Sequence, residues 1–309
     1  MLNTKYKNNK FKTIYIGGGT PNCLTTKQLI KLLSCLTSKL LTKYEFTIEC
    51  NPEFVTRQQV KIFKKYKINR ISLGIQTLNQ KILKSINRLH NKQNIEQAIK
   101  LFRKFKINNL SCDLIYGFRQ QSIMSIKKDL DFLFKNKIKH ISYYCLEIKP
   151  NTTFALKKYK IDENKTDEQL KFIIKYLKKN KFVRYEVSNW SKGNKNQSQH
   201  NVLIWKTKEW TGIGWGAHGF EKKHYYHYEG GILKWKLVTK CLTKKELYQQ
   251  VLIMGLRLKN GLDLKDKLVK DSYNFFKQKL NSSSLFVKNK KIIKCRNINL
   301  LNCLLEKII

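Results

Sequence analysis

The chain has 309 residues, enough for one large domain or two modest ones. Its 41% hydrophobic and 12% aromatic content supplies a core and excludes wholesale disorder. Against 21 Asp and Glu stand 63 Lys and Arg, a net charge of +42, while 14 Gly and 3 Pro exclude collagen-like and proline-rich chains. The charge does not single out nucleic acid, because Lys is spread over almost every segment, often beside Asn, rather than gathered with Arg into a patch. A nonspecific pull on polyanions, anionic membranes included, still follows.

The chain opens with alternating short apolar runs and Lys-rich amphipathic stretches. Residues 13–16 form the first run and end in Gly17-Gly18-Gly19-Thr20-Pro21. A helix follows, with a capping box of Thr25 and Gln28 ahead of Leu29, Leu32, Leu33 and Leu36. The second run, 46–48, ends in Glu49-Cys50-Asn51-Pro52-Glu53, and Thr56 and Gln59 repeat the capping spacing. The third, 70–73, ends in Gly74-Ile75-Gln76, and a helix is expected over about 94–105. The fourth, 109–112, ends in Asp113-Leu114-Ile115-Tyr116-Gly117, and the fifth is 141–144. Short runs alternating with longer helices predict βα units and a parallel sheet. The strands do not read as cleanly alternating. Gly18, Thr20, Glu49, Gln76 and Asp113 all fall at predicted strand ends, where a β/α barrel carries its site.

Past residue 160 the pattern changes. A helix is expected over 166–177, a strand over 182–187 and a polar loop over 188–199. Then come His200-Asn201-Val202-Leu203-Ile204-Trp205 and a glycine-rich stretch with Gly212, Gly214, Gly216 and Gly219. In so glycine-poor a chain, that concentration marks tight turns or close backbone approach. From about 242 small helices and one short strand, 284–287, are expected.

At these residues the sequence resembles the bacterial heme chaperones, relatives of oxygen-independent coproporphyrinogen-III oxidase in the radical S-adenosylmethionine superfamily. The matching motifs are Tyr15-Ile16-Gly17-Gly18-Gly19-Thr20-Pro21, Glu49-Cys50-Asn51-Pro52-Glu53, Arg70-Ile71-Ser72-Leu73-Gly74-Ile75-Gln76, Asn87-Arg88-Leu89-His90, Asp113-Leu114-Ile115-Tyr116-Gly117, Tyr185-Glu186-Val187-Ser188-Asn189-Trp190 and the stretch from His200 to His218. They recur in family order over roughly the first 220 residues. The resemblance implies an α/β fold: a partial (β/α)6 radical-SAM-type barrel missing its first strand, with a smaller α+β C-terminal module. The expected domains are a truncated barrel at 1–165, a barrel extension and heme-chaperone-like region at 166–235, and a small helical or winged module at 236–309. It also implies that Gly18, Gly19, Thr20, Glu49, Gln76, Arg88 and Asp113 hold S-adenosylmethionine, with Arg88 pairing with its carboxylate. His200, Asn201 and Trp205 would mark the heme region, with Ile204 where the family has Tyr, and His200 could ligate heme iron. His218 has a competing reading as a satisfied structural histidine.

The sequence departs from the family at its cysteines. The eight are Cys23, Cys35, Cys50, Cys112, Cys145, Cys241, Cys295 and Cys303, and none reproduces the family's Cys-x3-Cys-x2-Cys. Scattered thiols suit a reducing cytoplasm, and neither a secretory leader nor an 18-residue apolar run is visible. The expectation is therefore a truncated or degenerate member without catalytic residues or a [4Fe–4S] cluster, and without radical activity. It would hold heme and hand it to an accepting protein in the cytoplasm. Coproporphyrinogen III oxidation to protoporphyrinogen IX is the enzymatic alternative, and nonenzymatic binding of nucleic acid is the third.

Overall fold

In the computed structural model, residues 6–231, 234–306 and 308 are described. The chain divides into two compact units, one of residues 8–184 with 188–197, the other carrying 185–187 and everything described from 198 onward. The outermost residues of the first and last expected domains lie outside the described residues. The cuts expected at 165 and 235 fall inside a helix and a strand, so the units are drawn differently.

The first unit alternates strand and helix. Its elements are β1 (Phe11–Ile16), α1 (Thr26–Thr37), β2 (Leu40–Cys50), α2 (Arg57–Lys65), β3 (Arg70–Gln76), α3 (Gln80–Ser85), α4 (Lys92–Lys104), β4 (Asn109–Tyr116), α5 (Ile123–Lys135), β5 (His140–Cys145), α6 (Thr153–Leu156), α7 (Glu163–Lys179), β6 (Val183–Arg184) and β7 (Asn189–Ser191). Among the described residues the strands form one sheet in the order β1-β2-β3-β4-β5-β7-β6. The first five are parallel, joined through helices, and β7 runs antiparallel to both β5 and β6. The capping box of Thr25 and Gln28 forms as read. Thr56 accepts from the Gln59 N–H, and Asn91 with Asn94 makes a box that the sequence reading passed over.

The sheet corrects the expectation of imperfect alternation. Ile48, Ile71, Leu73, Leu110, Cys112 and Ile141 point to one face and pack on Leu29, Val60, Phe63, Ile99, Phe102 and Leu130 of the helices. The residues between them form rows on the other face. One row joins Tyr15, Thr47, Arg70 and Asn109, and the next joins Glu49, Ser72, Ser111 and His140. Most of these polar side chains are buried, and several bond to one another, although the buried Thr47 hydroxyl has no hydrogen-bond partner among the described residues. Arg70 donates to Asn109 Oδ1 at 2.9 Å, and Ser111 Oγ lies 2.7 Å from His140 Nδ1. Burial, with Arg70 nearby, holds His140 well below its usual pKa and hence neutral.

The strand expected over 182–187 shortens to β6, and β7 occupies part of the expected polar loop. Antiparallel pairing with β5 supplies β7 with partners that its local sequence does not advertise.

The second unit contains α8 (Gln199–Trp205), β8 (His218–Glu221), β9 (His224–Gly230), β10 (Trp235–Cys241), α9 (Lys244–Gly255), β11 (Leu262–Asp263), α10 (Lys267–Phe275), α11 (Lys277–Asn281), β12 (Phe286–Lys288), β13 (Ile292–Cys295) and α12 (Leu301–Leu305). Among the described residues two antiparallel sheets form, ordered β10-β9-β8 and β11-β13-β12. Leu247, Val251, Leu252, Leu256, Tyr273, Leu280 and Leu304 share its core. The short strand expected at 284–287 is β12, shifted by two residues at its start. The β8–β10 sheet was not anticipated, because its strands mix His, Tyr and Lys without an apolar period.

Candidate functional site

A cleft of about 330 Å³ opens at the C-terminal ends of the parallel strands. Gly19, Thr20, Glu49, Gln76, Arg88 and Asp113 line it, although they are drawn from five separate segments of the chain. Tyr15, Asn51, Ser72, Gly74 and Tyr144 also line it and were missed. Their signal was present in the sequence, since Tyr15, Ser72, Gly74 and Tyr144 each stand two residues from another polar-face position on the same strand.

The glycine loop is built from backbone constraints. Gly18 and Gly19 have φ of 78° and 57°, and a Cβ on either would meet nothing within 4 Å, so the turn leaves its backbone uncovered. Gly17 serves differently: a Cβ there would lie 2.8 Å from the Tyr15 ring and 3.0 Å from the Glu49 carboxyl. Glu49 ties this corner together, with Oε1 accepting from Tyr15 Oη at 2.7 Å and Oε2 from the Gly18 N–H at 3.2 Å. Burial raises the Glu49 pKa, as does Asp113, while the Tyr15 and Gly18 bonds oppose the rise. Burial and the adjacent carboxylates push the Tyr15 phenol up, so it stays a hydrogen-bond donor.

Beneath the loop, fully buried Asn22 bridges to the next strand end. Its Nδ2 donates to Asn51 O at 3.0 Å, and its Oδ1 accepts from the Asn51 N–H at 2.9 Å. Asn51 Nδ2 in turn reaches Thr20 Oγ1 at 3.2 Å.

Gln76 sits where the β3–β4 register shifts, with φ of 63°, an uncommon conformation for a residue other than glycine. A Cβ on Gly74 would lie 3.0 Å from Gln76 Nε2, a tight contact, and 3.4 Å from Asn51 Oδ1. The turn after Gln76 is pinned by buried Asp129 of α5, which accepts from Thr77 Oγ1 and the Leu78 N–H, each at 2.8 Å. Burial pushes the Asp129 pKa up to about 7. Arg88 follows in a loop whose end is held by buried His90, with Nε2 3.0 Å from Ile75 O and Nδ1 3.2 Å from Glu53 Oε2.

Asp113 closes the far wall. Ser72 Oγ donates to its Oδ2 at 2.7 Å, and Ser111 Oγ lies 3.4 Å from its Oδ1. Burial raises its pKa, against the serine hydroxyls and Arg70. Carboxylates that can take hydroxyl or ammonium donors, a guanidinium and an uncovered glycine backbone thus face one small space. That set suits a ligand carrying both a carboxylate and hydroxyl groups.

His200, Asn201 and Trp205 all lie on α8 of the second unit. Asn201 and Trp205 are four residues apart and share a helix face, whereas His200 is turned about 100° from Asn201. Burial lowers the His200 pKa to about 4, so its imidazole is neutral at physiological pH. The Trp205 ring lies under the Arg257 guanidinium, 5.2 Å from its centroid, and its buried Nε1 has no hydrogen-bond partner among the described residues. His218 is exposed on β8, with Nδ1 bonded to Tyr225 Oη at 2.8 Å.

Comparison with known proteins decides the family. Residues 3–133 match the model of the Radical SAM superfamily. The heme chaperone HemW of Lactococcus lactis is 31% identical over 268 residues, which cover 82% of this chain and 70% of that protein. The chain belongs to the HemW family of radical SAM proteins. HemW of Buchnera aphidicola subsp. Acyrthosiphon pisum is 39% identical over 217 residues, which cover 69% of this chain but only 57% of the relative. The HemW-family chain thus spans little more than half of that relative's length. Its fold also matches coproporphyrinogen III oxidase (HemN) from Escherichia coli, with a TM-score of 0.81 at 16% identity, over 97% of this chain and 78% of that one. Among the described residues, no helix is long and apolar enough to cross a membrane.

Proposed function

We propose that this chain is a heme chaperone-like protein that holds S-adenosylmethionine in the cleft and heme at the α8 region. The observation that carries the reading is the convergence of Gly19, Thr20, Glu49, Gln76, Arg88 and Asp113 on one cleft of nucleoside size. The family membership and the relatives' names as heme chaperones support it. In this reading Arg88 pairs with the ligand carboxylate, Glu49 and Asp113 accept its ammonium or hydroxyl donors, and the glycine loop meets it through backbone. The parallel strands form the wall of a barrel-like sheet, in which β1 is the edge among the described residues and a further parallel strand could pair with it. Neutral His200 suits iron ligation, and heme passes to an accepting protein in the cytoplasm, the +42 charge allowing contact with anionic membranes.

The residues given do not fit an iron–sulfur cluster. Cys23, Cys35, Cys50, Cys112, Cys145, Cys241, Cys295 and Cys303 nowhere stand at Cys-x3-Cys-x2-Cys spacing, so no local set of three thiolates is offered. No radical step is assigned to these residues. Reading the upstream genomic frame for Cys-x3-Cys-x2-Cys tests whether the ligands lie elsewhere in a longer product.

Hemin titration followed by the Soret band tests heme binding, and calorimetry tests S-adenosylmethionine. The expected result is one hemin per chain, with His200→Ala losing the ligated spectrum at least in part, and nucleoside binding weakened by Arg88→Ala. Hemin binding that His200→Ala leaves unchanged would remove His200 as the ligand, and absence of both bindings would overturn the proposal.

A further inference from the structure

The β8–β10 sheet carries a cluster that the proposed heme and nucleoside sites leave unused. His218 and His227 are cross-strand partners on β8 and β9. Their rings are stacked, with centroids 5.4 Å apart and planes at 22°. Cross-strand partners project on the same side of a sheet, so both imidazoles share one face. Each ring has one nitrogen fixed by a neighbour. His218 Nδ1 lies 2.8 Å from Tyr225 Oη, and His227 Nε2 lies 2.7 Å from Glu229 Oε1.

That is the arrangement in which histidines ligate metals: an outer hydrogen bond sets tautomer and ring orientation, leaving the second nitrogen for the ion. His218 Nε2 and His227 Nδ1 are the remaining nitrogens, and neither has a hydrogen-bond partner among the described residues. His218 is exposed and His227 is 30% exposed, so solvent and an ion can reach them.

We propose that His218 and His227 chelate a divalent transition-metal ion of the imidazole-preferring class, such as nickel, copper or zinc. Two nitrogens bound at ~2.0–2.1 Å to one ion lie roughly 2.9 Å apart in the square-planar or tetragonal geometry of nickel and copper and roughly 3.3 Å apart in the tetrahedral geometry of zinc. The ring centroids stand 5.4 Å apart, so binding one ion requires both rings to turn their remaining nitrogens toward it. Tyr225 and Glu229 act as positioning residues. Since no third His, Cys, Asp or Glu converges here among the described residues, the ion keeps open positions for water or an incoming donor.

The test is nickel(II) titrated into the metal-stripped, reduced full chain by calorimetry, with His218→Ala, His227→Gln and Tyr225→Phe. His224→Ala is the control, because His224 is on the same strand three residues from His227 and therefore faces the opposite side. One bound nickel is expected, weakened at least tenfold in each histidine variant, several-fold in Tyr225→Phe and not at all in His224→Ala. Binding that both histidine variants leave unchanged, or that His224→Ala abolishes equally, would overturn the assignment. If a histidine variant misfolds, copper(II) electron paramagnetic resonance of the unaltered chain decides. Two coordinated imidazoles support the site, and one or none refutes it.

Discussion

Gly17→Ala gives a direct measurement of how the cleft corner is held. The backbone at Gly17 lies outside the left-handed region, so alanine is tolerated there conformationally and would stabilise by about 0.4–1 kcal/mol through the unfolded chain. Sterics point the other way. The new Cβ would sit 2.8 Å from Tyr15 Cε1 and 3.0 Å from Glu49 Cδ and Oε1. The ring edge is part of a half-buried side chain whose hydroxyl is bonded to that same carboxylate, so neither neighbour can retreat alone. Overpacking costs ~1–3 kcal/mol, and loosening a hydrogen bond to a charged acceptor costs ~1.5–3 kcal/mol where the bond is lost entirely. With partial relaxation the net destabilisation is about 1–2 kcal/mol, because the steric cost exceeds the chain-entropy gain. Urea unfolding would read that loss directly. On the proposed function, displacement of the Glu49 carboxyl should also weaken S-adenosylmethionine about tenfold, roughly the 1.4 kcal/mol of a weakened hydrogen bond to a charged group, measured by calorimetry. In a double-mutant cycle with Tyr15→Leu, which removes the obstructing ring, the alanine cost should shrink. A Gly17→Ala variant as stable and as tight-binding as the parent would refute the steric account.

Gly18→Ala should also destabilise, by roughly 1–2 kcal/mol, but through its positive φ rather than contact, and Tyr15→Leu should not relieve it. Asn22→Ala removes both side-chain bonds to the Asn51 backbone from a fully buried position, and should cost ~2–4 kcal/mol in urea unfolding. Asp129 gives a pH dependence with a definite sign. Its folded pKa of about 7 lies above the ordinary 3.8, so the folded state binds the proton more tightly. Its contribution to stability therefore falls as pH rises from about 4 to about 7 and is level above that. Asp129→Asn should flatten that slope between pH 4 and 7 in a series of urea midpoints. An unchanged slope would place the titration elsewhere.

What the sequence determined by itself lay in short stretches. The parallel strands of the first unit, the Thr25 box and the polar strand ends are written in turn residues and caps that act within a few positions. Thr20, Glu49, Gln76 and Asp113 were marked at strand ends for that reason, the ordered motifs added Gly19 and Arg88, and these six line one cleft, whereas Gly18 is not among its lining residues. Tertiary structure decided the rest. The rows Tyr15-Thr47-Arg70-Asn109 and Glu49-Ser72-Ser111-His140 exist only once five strands are in register, and a one-residue slip would turn every member to the other face. The roles of Asn22, Asp129 and His90 likewise appear only when distant segments meet, since their partners lie 15 to 52 residues away. The pairing of His218 with His227 depends on a hairpin whose strands carry no apolar period to announce it. Local chemistry names the groups that a site can use. Strand register and burial decide which of them face one another and in what protonation state.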